Sequence, residues 1–226
     1  MQGIARSTAK IMSSAGIDFG VLGKAERDSG HEVRRFGEEM LFQDLKDRNT
    51  DAILNCGATK IITADPHAYN ALKKDYRDIP PVEHISQTIV QNVKSGKIRL
   101  KPVADSDKTY VYHDPCYLGR HNSLYDDPRE AIDAVPGLKR VEMEGNCRDR
   151  SFCCGGGGLM LFYEPEEDQR MGVLRVEMAQ KAGADVIVTA CPFCLVNIED
   201  AIKVAGLEGK MEAIDLCELI EQHMIK

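Results

Sequence analysis

The sequence predicts an α/β fold of two pseudo-symmetric, Rossmann-like lobes with parallel sheets, the first lobe truncated at its N-terminus. Three observations lead there. The segment Gly57-Ala58-Thr59-Lys60-Ile61-Ile62-Thr63-Ala64-Asp65-Pro66-His67-Ala68 matches Gly183-Ala184-Asp185-Val186-Ile187-Val188-Thr189-Ala190-Cys191-Pro192-Phe193-Cys194 at an offset of 126 residues. Both stretches read as a helix closed by glycine, a short β-branched strand, and a loop that opens the next helix. Strands that alternate with helices need crossover connections, which give parallel sheets. Finally, the second copy has a strand and loop, Thr109 to Arg120, ahead of its first helix, whereas the first copy begins directly in a helix.

The elements follow in order. Residues 1–104 form the first lobe, with Ile4, Thr8, Ile11 and Ala15 on one helical face and a strand expected around Ile17 to Leu22. Asp28-Ser29-Gly30 lies within one residue of the same offset from Cys153-Cys154-Gly155. Ser86 leads into a helix carrying Ile89, Val90 and Val93, which ends at Gly96. Residues 105–226 form the second lobe, with strands at Tyr110–His113, around Val141 and at Val186–Ala190. Met171, Leu174, Met178 and Ala182 make a helical stripe ending at Gly183, and Leu195, Ile198, Ile202 and Ala205 make another that ends at Gly206. Asp215 with Glu218 suggests a capping box for a last helix whose apolar face is Leu216, Leu219, Ile220 and Met224.

Composition narrows the function classes. With 29 basic and 36 acidic residues, a net charge of −7 and a pI near 5.4, the chain lacks the clustered cations that a nucleic-acid surface needs. No run approaches the roughly 18 apolar residues of a membrane span, and no signal-peptide core opens the chain. Direct membrane insertion is therefore not expected. Eight cysteines without an export signal point to a cytoplasmic setting, with membrane association only through partners, and to cysteines used as ligands rather than disulfides.

Five of those cysteines share one frame. Thirty-six residues separate Cys116 from Cys153-Cys154, and another 36 separate that pair from Cys191-Pro192-Phe193-Cys194. Each group follows a strand, so the three loops meet at one sheet edge, where α/β folds bind ligands. Cys191 and Cys194 open a helix whose amides stabilise thiolates, and Pro192 suits that start. Gly155, Gly156, Gly157 and Gly158 let backbone approach a bulky inorganic centre and donate N–H groups to sulfur. A tetrahedral zinc site uses four ligands, and adjacent cysteines rarely both serve one ion. An iron–sulfur centre accommodates five better, since several irons share them. A phosphate loop is the other use of a glycine run, but neither G-x-G-x-x-G nor G-K-[ST] is present.

The words around these cysteines, HDPCYLGRHN, CCGGGG and TACPFC, are similar to the CCG (cysteine-rich) domain family. That family includes components of heterodisulfide reductase and the iron–sulfur components of glycolate oxidase and anaerobic glycerol-3-phosphate dehydrogenase. The resemblance implies paired Rossmann-like lobes, a cluster of the [4Fe-4S] type (non-cubane in the family), and an upstream ferredoxin-like segment as the piece that would precede residue 1. It also implies redox partners: ferredoxin-like, flavoprotein, or membrane quinone or haem subunits. In the first copy CCG has become Asp28-Ser29-Gly30 and CPxC has become Asp65-Pro66-His67-Ala68, so that copy is expected to have lost its cluster.

Other residues carry weaker expectations. His113 is the candidate catalytic residue, bonding a sulfur or moving a proton, or else it orders the Asp114-Pro115 turn. Arg120 and His121 could offer positive charge to a cluster or substrate. Cys56 and Cys217 read as inert buried thiols, and Cys147 as a spare thiol that could be near the cluster or redox-active. His67 could ligate metal, though Asp28, Ser29 and Asp65 make a hard, incomplete set around it. His31, Glu32 and Arg34-Arg35 read as a solvated or interdomain face.

The leading expectation is an iron–sulfur electron-transfer subunit of a multi-subunit oxidoreductase, with Cys116, Cys153, Cys154, Cys191 and Cys194 holding one centre. Reduction of a disulfide or related acceptor at the cluster is the catalytic alternative. A zinc-stabilised interaction module is the third.

Overall fold

A computed structural model describes residues 2–104, 107–157, 160, 166 and 169–225. The first half runs α1 (Gln2–Ser14), α2 (His31–Phe36), α3 (Glu39–Asn55), β1 (Ile61–Thr63), α4 (Pro66–Lys74), β2 (Val82–His84) and α5 (Ile85–Lys94). The second runs β3 (Thr109–His113), α6 (Asp126–Asp133), β4 (Lys139–Val141), α7 (Met171–Lys181), β5 (Val186–Thr189), α8 (Pro192–Val204), β6 (Glu212–Asp215) and α9 (Leu216–His223). Both sheets are parallel: β1 pairs with β2, and four strands run in the order β4-β3-β5-β6. The chain is α/β with Rossmann-like lobes.

In the larger sheet β3 and β5 are neighbours, yet β3 leads outward to β4 on one side and β5 leads to β6 on the other. Loops leaving their carboxyl ends therefore diverge, and a crevice opens between them. Every residue of β3 and β5 is buried, as central strands covered on both faces must be. The two halves share a core. Ile4 and Ile11 of α1, Ile85 and Ile89 of α5, and Leu216, Leu219 and Ile220 of α9 belong to one buried cluster with Tyr112 and Val188. Each such aliphatic side chain contributes roughly 1.5–3 kcal/mol by leaving water.

The helix starts show how repeat and sequence agree. Asp65 caps α4 by accepting from the His67 and Ala68 amides at 2.9 and 3.3 Å, and Cys191 caps α8 by accepting from the Cys194 amide at 3.4 Å. A proline opens each helix. His84, not Ser86, caps α5, with Gln87 completing the capping box. Asp215 caps α9 through the Cys217 amide at 2.8 Å, while Glu218 reaches instead to Gly3 on α1.

Two expectations fail. Ile17–Leu22 is not a strand. Its second-lobe counterpart β4 is held by β3, and among the described residues no strand lies between Ile17–Leu22 and β1. A groove of about 840 Å³ separates them, so the backbone has no ladder to join and Val21 is exposed. On α7 the first half of the expected inner stripe faces out: Met171 is 40% and Leu174 36% exposed, Met178 and Ala182 pack on the core, and Gly172, Arg175, Val176 and Ala179 are buried. Gly172 fixes that rotation, because a Cβ there would sit 3.1 Å from Ala201 Cβ of α8.

Candidate metal centre

The five framed cysteines converge at the β3/β5 crevice. Cys116 leaves β3, Cys191 leaves β5 and opens α8, and Cys153-Cys154 arrive on the loop from β4. Their sulfurs lie close together. Cys154 donates to Cys194 at 3.3 Å, and Cys116 with Cys153, Cys153 with Cys154, and Cys191 with Cys194 are near enough to shift one another's ionisation. Cys154, Cys191 and Cys194 are buried, whereas Cys116 and Cys153 are half-buried at the mouth.

The loops are pinned from behind. Asp114 takes a bidentate bond from Arg129, at 2.6 and 2.8 Å, and also accepts from the Arg148 amide at 2.8 Å. Arg129 holds Glu142 in addition, at 2.7 and 3.0 Å. Ser151 Oγ donates to the Asp114 carbonyl at 3.3 Å. Planar guanidinium–carboxylate pairing of this kind fixes orientation as well as distance. It joins the loop bearing Cys116 to the one that delivers Cys153 and Cys154.

The glycines behave as a cradle. Gly155 N–H donates to Cys153 Sγ at 3.3 Å and Gly156 N–H to Cys154 Sγ at 3.4 Å. Gly155 sits at φ +88°, and a Cβ there would lie 2.9 Å from Met171 Cβ. Gly156 packs on the Phe193 carbonyl and Asn197, and Gly157 on His67. Gly158 lies outside the described residues.

His113 is 1% exposed and does not order the turn, which Asp114 secures by its own bonds. Its Nδ1 accepts from Arg175 Nε at 2.9 Å, which leaves the proton of the neutral ring on Nε2. Burial, then the Arg175 cation, pushes its pKa down to about 3. A ring nitrogen of His113 and the sulfurs of Cys154 and Cys194 lie within 4.8 Å of one another.

Arg175 had no sequence signal beyond a cation inside an apolar helix. It is fully buried and also donates to the Asn146 carbonyl at 2.8 Å and to Ser151 Oγ at 3.4 Å. It is a buried positive charge beside the sulfurs, whereas Arg120 and His121 are exposed. Arg120 is spent on the Ser151 carbonyl at 2.6 Å, and His121 is exposed and stacked on Tyr117.

Electrostatics are uneven among the five thiols. Burial resists ionisation of Cys191, but bonds from Cys194 and His67 outweigh it and lower its pKa to about 6. Bonds from Cys116 and Cys154 lower Cys153 despite burial. Cys116 is raised first by Cys153, and Cys194 first by Cys154 and then by Cys191.

The remaining thiols separate. Cys217 is buried and receives Thr8 Oγ1 at 3.4 Å. Cys147 is half-buried beside Glu142, with burial first and that carboxylate second raising its pKa. Cys56 corrects the expectation of a buried thiol: it is exposed, because the groove at β1 leaves its side of the sheet uncovered.

Of the two expectations for His31 and Glu32, a solvated or an interdomain face, the second fits: His31 is 1% and His67 3% exposed, Glu32 reaches both rings, and His31 packs on Tyr117 of the second half. A largely polar run, His31-Glu32-Val33-Arg34-Arg35, hid a turn that aims its first two side chains inward.

A family model described as a cysteine-rich domain, CCG, matches residues 1–73 and 110–199. The chain is 40% identical, over 99% of its length, to a probable iron-sulfur-binding oxidoreductase, FadF, of Bacillus subtilis, and covers 32% of that protein. It is 34% identical over 98% of its length to an EtfAB:quinone oxidoreductase of Syntrophomonas wolfei, again covering 32%. It is 32% identical over 97% of its length to a component of the dihydromethanophenazine:CoB–CoM heterodisulfide reductase of Methanosarcina barkeri, covering 54%. The chain thus spans about a third to a half of the length of these relatives. Because the family match takes in well over half of its residues, the chain belongs to the cysteine-rich (CCG) domain family.

Proposed function

We propose that this chain is an iron–sulfur electron-transfer component of a multi-subunit, heterodisulfide-reductase-like oxidoreductase, with one centre held by Cys116, Cys153, Cys154, Cys191 and Cys194. The observation that carries this is the convergence of five thiols from three loops on one crevice, where the amides of Gly155 and Gly156 donate to Cys153 and Cys154. The donor set is soft and anionic, and one buried guanidinium balances part of its charge, which suits several irons sharing thiolates. Five converging sulfurs do not make one tetrahedral zinc site. The relatives' names, an iron-sulfur-binding oxidoreductase and components of redox complexes, support the same reading.

A centre of the [4Fe-4S] type, with the fifth thiolate favouring a non-cubane form, is part of this reading. So are redox partner subunits. Among the described residues no helix is long and apolar enough to cross a membrane. Half-burial of Cys116 and Cys153 favours one second role, direct reduction of a disulfide at the mouth of the crevice.

Anaerobic purification with iron, sulfide and zinc analysis and EPR tests the proposal. About four irons and matching sulfide per chain are expected; one zinc per chain bound by sulfur, without sulfide, overturns it. A Cys153→Ser variant that kept the full cluster spectrum would refute the five-thiolate assignment.

A further inference from the structure

We propose that His31, Glu32 and His67 form a second, mononuclear site for a borderline divalent cation such as Zn2+, distinct from the cysteine centre. His31 Nδ1 lies 2.9 Å and His67 Nδ1 2.5 Å from the same Glu32 carboxylate oxygen. The three ligand atoms all fall within 4.8 Å of one another. Both imidazoles are almost completely buried, and the Glu32 side chain is 12% exposed. His31 Nε2 has no hydrogen-bond partner among the described residues.

Two ring nitrogens and a carboxylate oxygen converge on one buried point, the spacing of a mononuclear site. A divalent cation would take the Nδ1 lone pair of each neutral ring and one oxygen of Glu32. Two imidazoles and one carboxylate suit zinc or iron(II), with positions left open, and exclude calcium and magnesium, which take oxygen ligands.

The scaffold is built like a site. Tyr117 packs edge-on against both rings, at 4.1 and 4.9 Å between centroids, and Phe193 stacks on His67 at 4.7 Å. These contacts fix the imidazoles, as ligand rings require. The site occupies the loops of the first copy, His31 directly after Asp28-Ser29-Gly30 and His67 within Asp65-Pro66-His67-Ala68. In that copy the cysteine ligands have gone, and a nitrogen–oxygen set stands close by in their place.

The site does not depend on what the cysteines hold, and one experiment keeps the two apart. The full chain, purified anaerobically, is dialysed against limiting Zn2+, and its zinc and iron are measured with zinc X-ray absorption. One zinc per chain is expected, bound by nitrogen and oxygen at about 2.0–2.2 Å with no sulfur shell near about 2.3 Å. Glu32→Gln and His31→Asn should each lose that zinc, and with it the stabilisation that binding gives the folded chain, while iron and sulfide content stay at wild-type values. A sulfur shell in the wild type would place the ion among the cysteines and overturn the proposal. So would the absence of stoichiometric zinc, or its retention in Glu32→Gln. Should a variant fail to fold, the donor set read from the wild-type spectrum still decides.

Discussion

His67 and Phe193 stack face to face, ring centroids 4.7 Å apart and planes inclined by 5°. They are also the same position in the two copies of the repeat, 126 residues apart. Asp65 likewise matches Cys191 as a helix cap, and His84 matches Asp215, paired with Thr63 and Thr189 respectively. The stack sets the loop of His67, with His31 and Glu32 beside it, against the loop of Cys191 and Cys194.

Gly30 and Gly155 are a further matched pair, both left-handed at φ +77° and +88°. A Cβ would lie 2.6 Å from the Phe42 ring at Gly30 and 2.9 Å from Met171 Cβ at Gly155. Gly57 has φ +70° but open space around it. Gly57→Ala should therefore cost about 1 kcal/mol, for conformation alone. Gly30→Ala and Gly155→Ala should cost roughly 3 kcal/mol, with strain and overlap added. Urea unfolding of the three variants checks the order; equal costs would mean that the ring and the methionine give way freely.

Arg175 is a buried cation beside the thiols, and it sets the tautomer of His113. Arg175→Met keeps the bulk and removes the charge. It should lower stability by about 3 kcal/mol, since the His113, Asn146 and Ser151 acceptors lose a charged donor. It should also move the midpoint potential of the centre downward, because a cation favours the more negative, reduced state. Redox titration followed by EPR reads the second effect; an unchanged or higher potential would show that Arg175 serves packing only.

Much of this was legible in the sequence, for reasons that particular residues show. The repeat and the cysteine frame follow from spacing, and glycine closures at Gly57, Gly96, Gly183 and Gly206 all take positive φ. What was not legible depends on neighbours. Ile17–Leu22 has the residues of a strand but no strand beside it. Met171 and Leu174 have the spacing of an inner face, but Gly172 and Arg175 decide the rotation of α7. His31 and Glu32 lie in a polar run, and only Tyr117 and the His67 loop, distant in sequence, show that they turn inward.

His84 and Asp215 should give opposite pH dependences from equivalent positions. Burial lowers His84 from 6.5 to about 3, opposed only in part by the Ala64 and Ala190 carbonyls. Its contribution to stability is present above about 6.5 and is lost as pH falls towards 3. Burial raises Asp215 from 3.8 to about 7, against the bonds from Cys217. Its contribution is present below 3.8 and is lost as pH rises through 7. Both side chains are helix caps, so asparagine keeps a cap while removing the titration. Relative to wild type, His84→Asn should hold its stability better between pH 6.5 and 4, and Asp215→Asn should lose less between pH 5 and 8. Denaturant midpoints across pH 4–8 test both, and parallel curves for all three proteins would contradict the burial of either group.

Cysteine labelling should separate the eight thiols by place rather than by sequence. Cys56 is exposed at the groove beside β1, with its Sγ only 3.0 Å from the Ile53 carbonyl to hold it. Cys147 is half-buried, and its raised pKa leaves little thiolate at neutral pH. Cys217 is buried under α1, and its pKa is raised well above the usual thiol range, by burial first and then by Asp215. Reactivity follows thiolate fraction and access. With the centre loaded and its five thiolates engaged, an alkylating reagent should modify Cys56 quickly and Cys147 slowly, and should leave Cys217 untouched until the chain unfolds. Removal of iron by a chelator under reducing conditions should add Cys153 as the next site, since its neighbours favour the thiolate and it lies half-buried at the mouth. Peptide mass mapping gives the order directly. Early labelling of Cys217 would mean that α1 does not stay packed on α9, and an unlabelled Cys56 would mean that the groove at β1 is covered in solution.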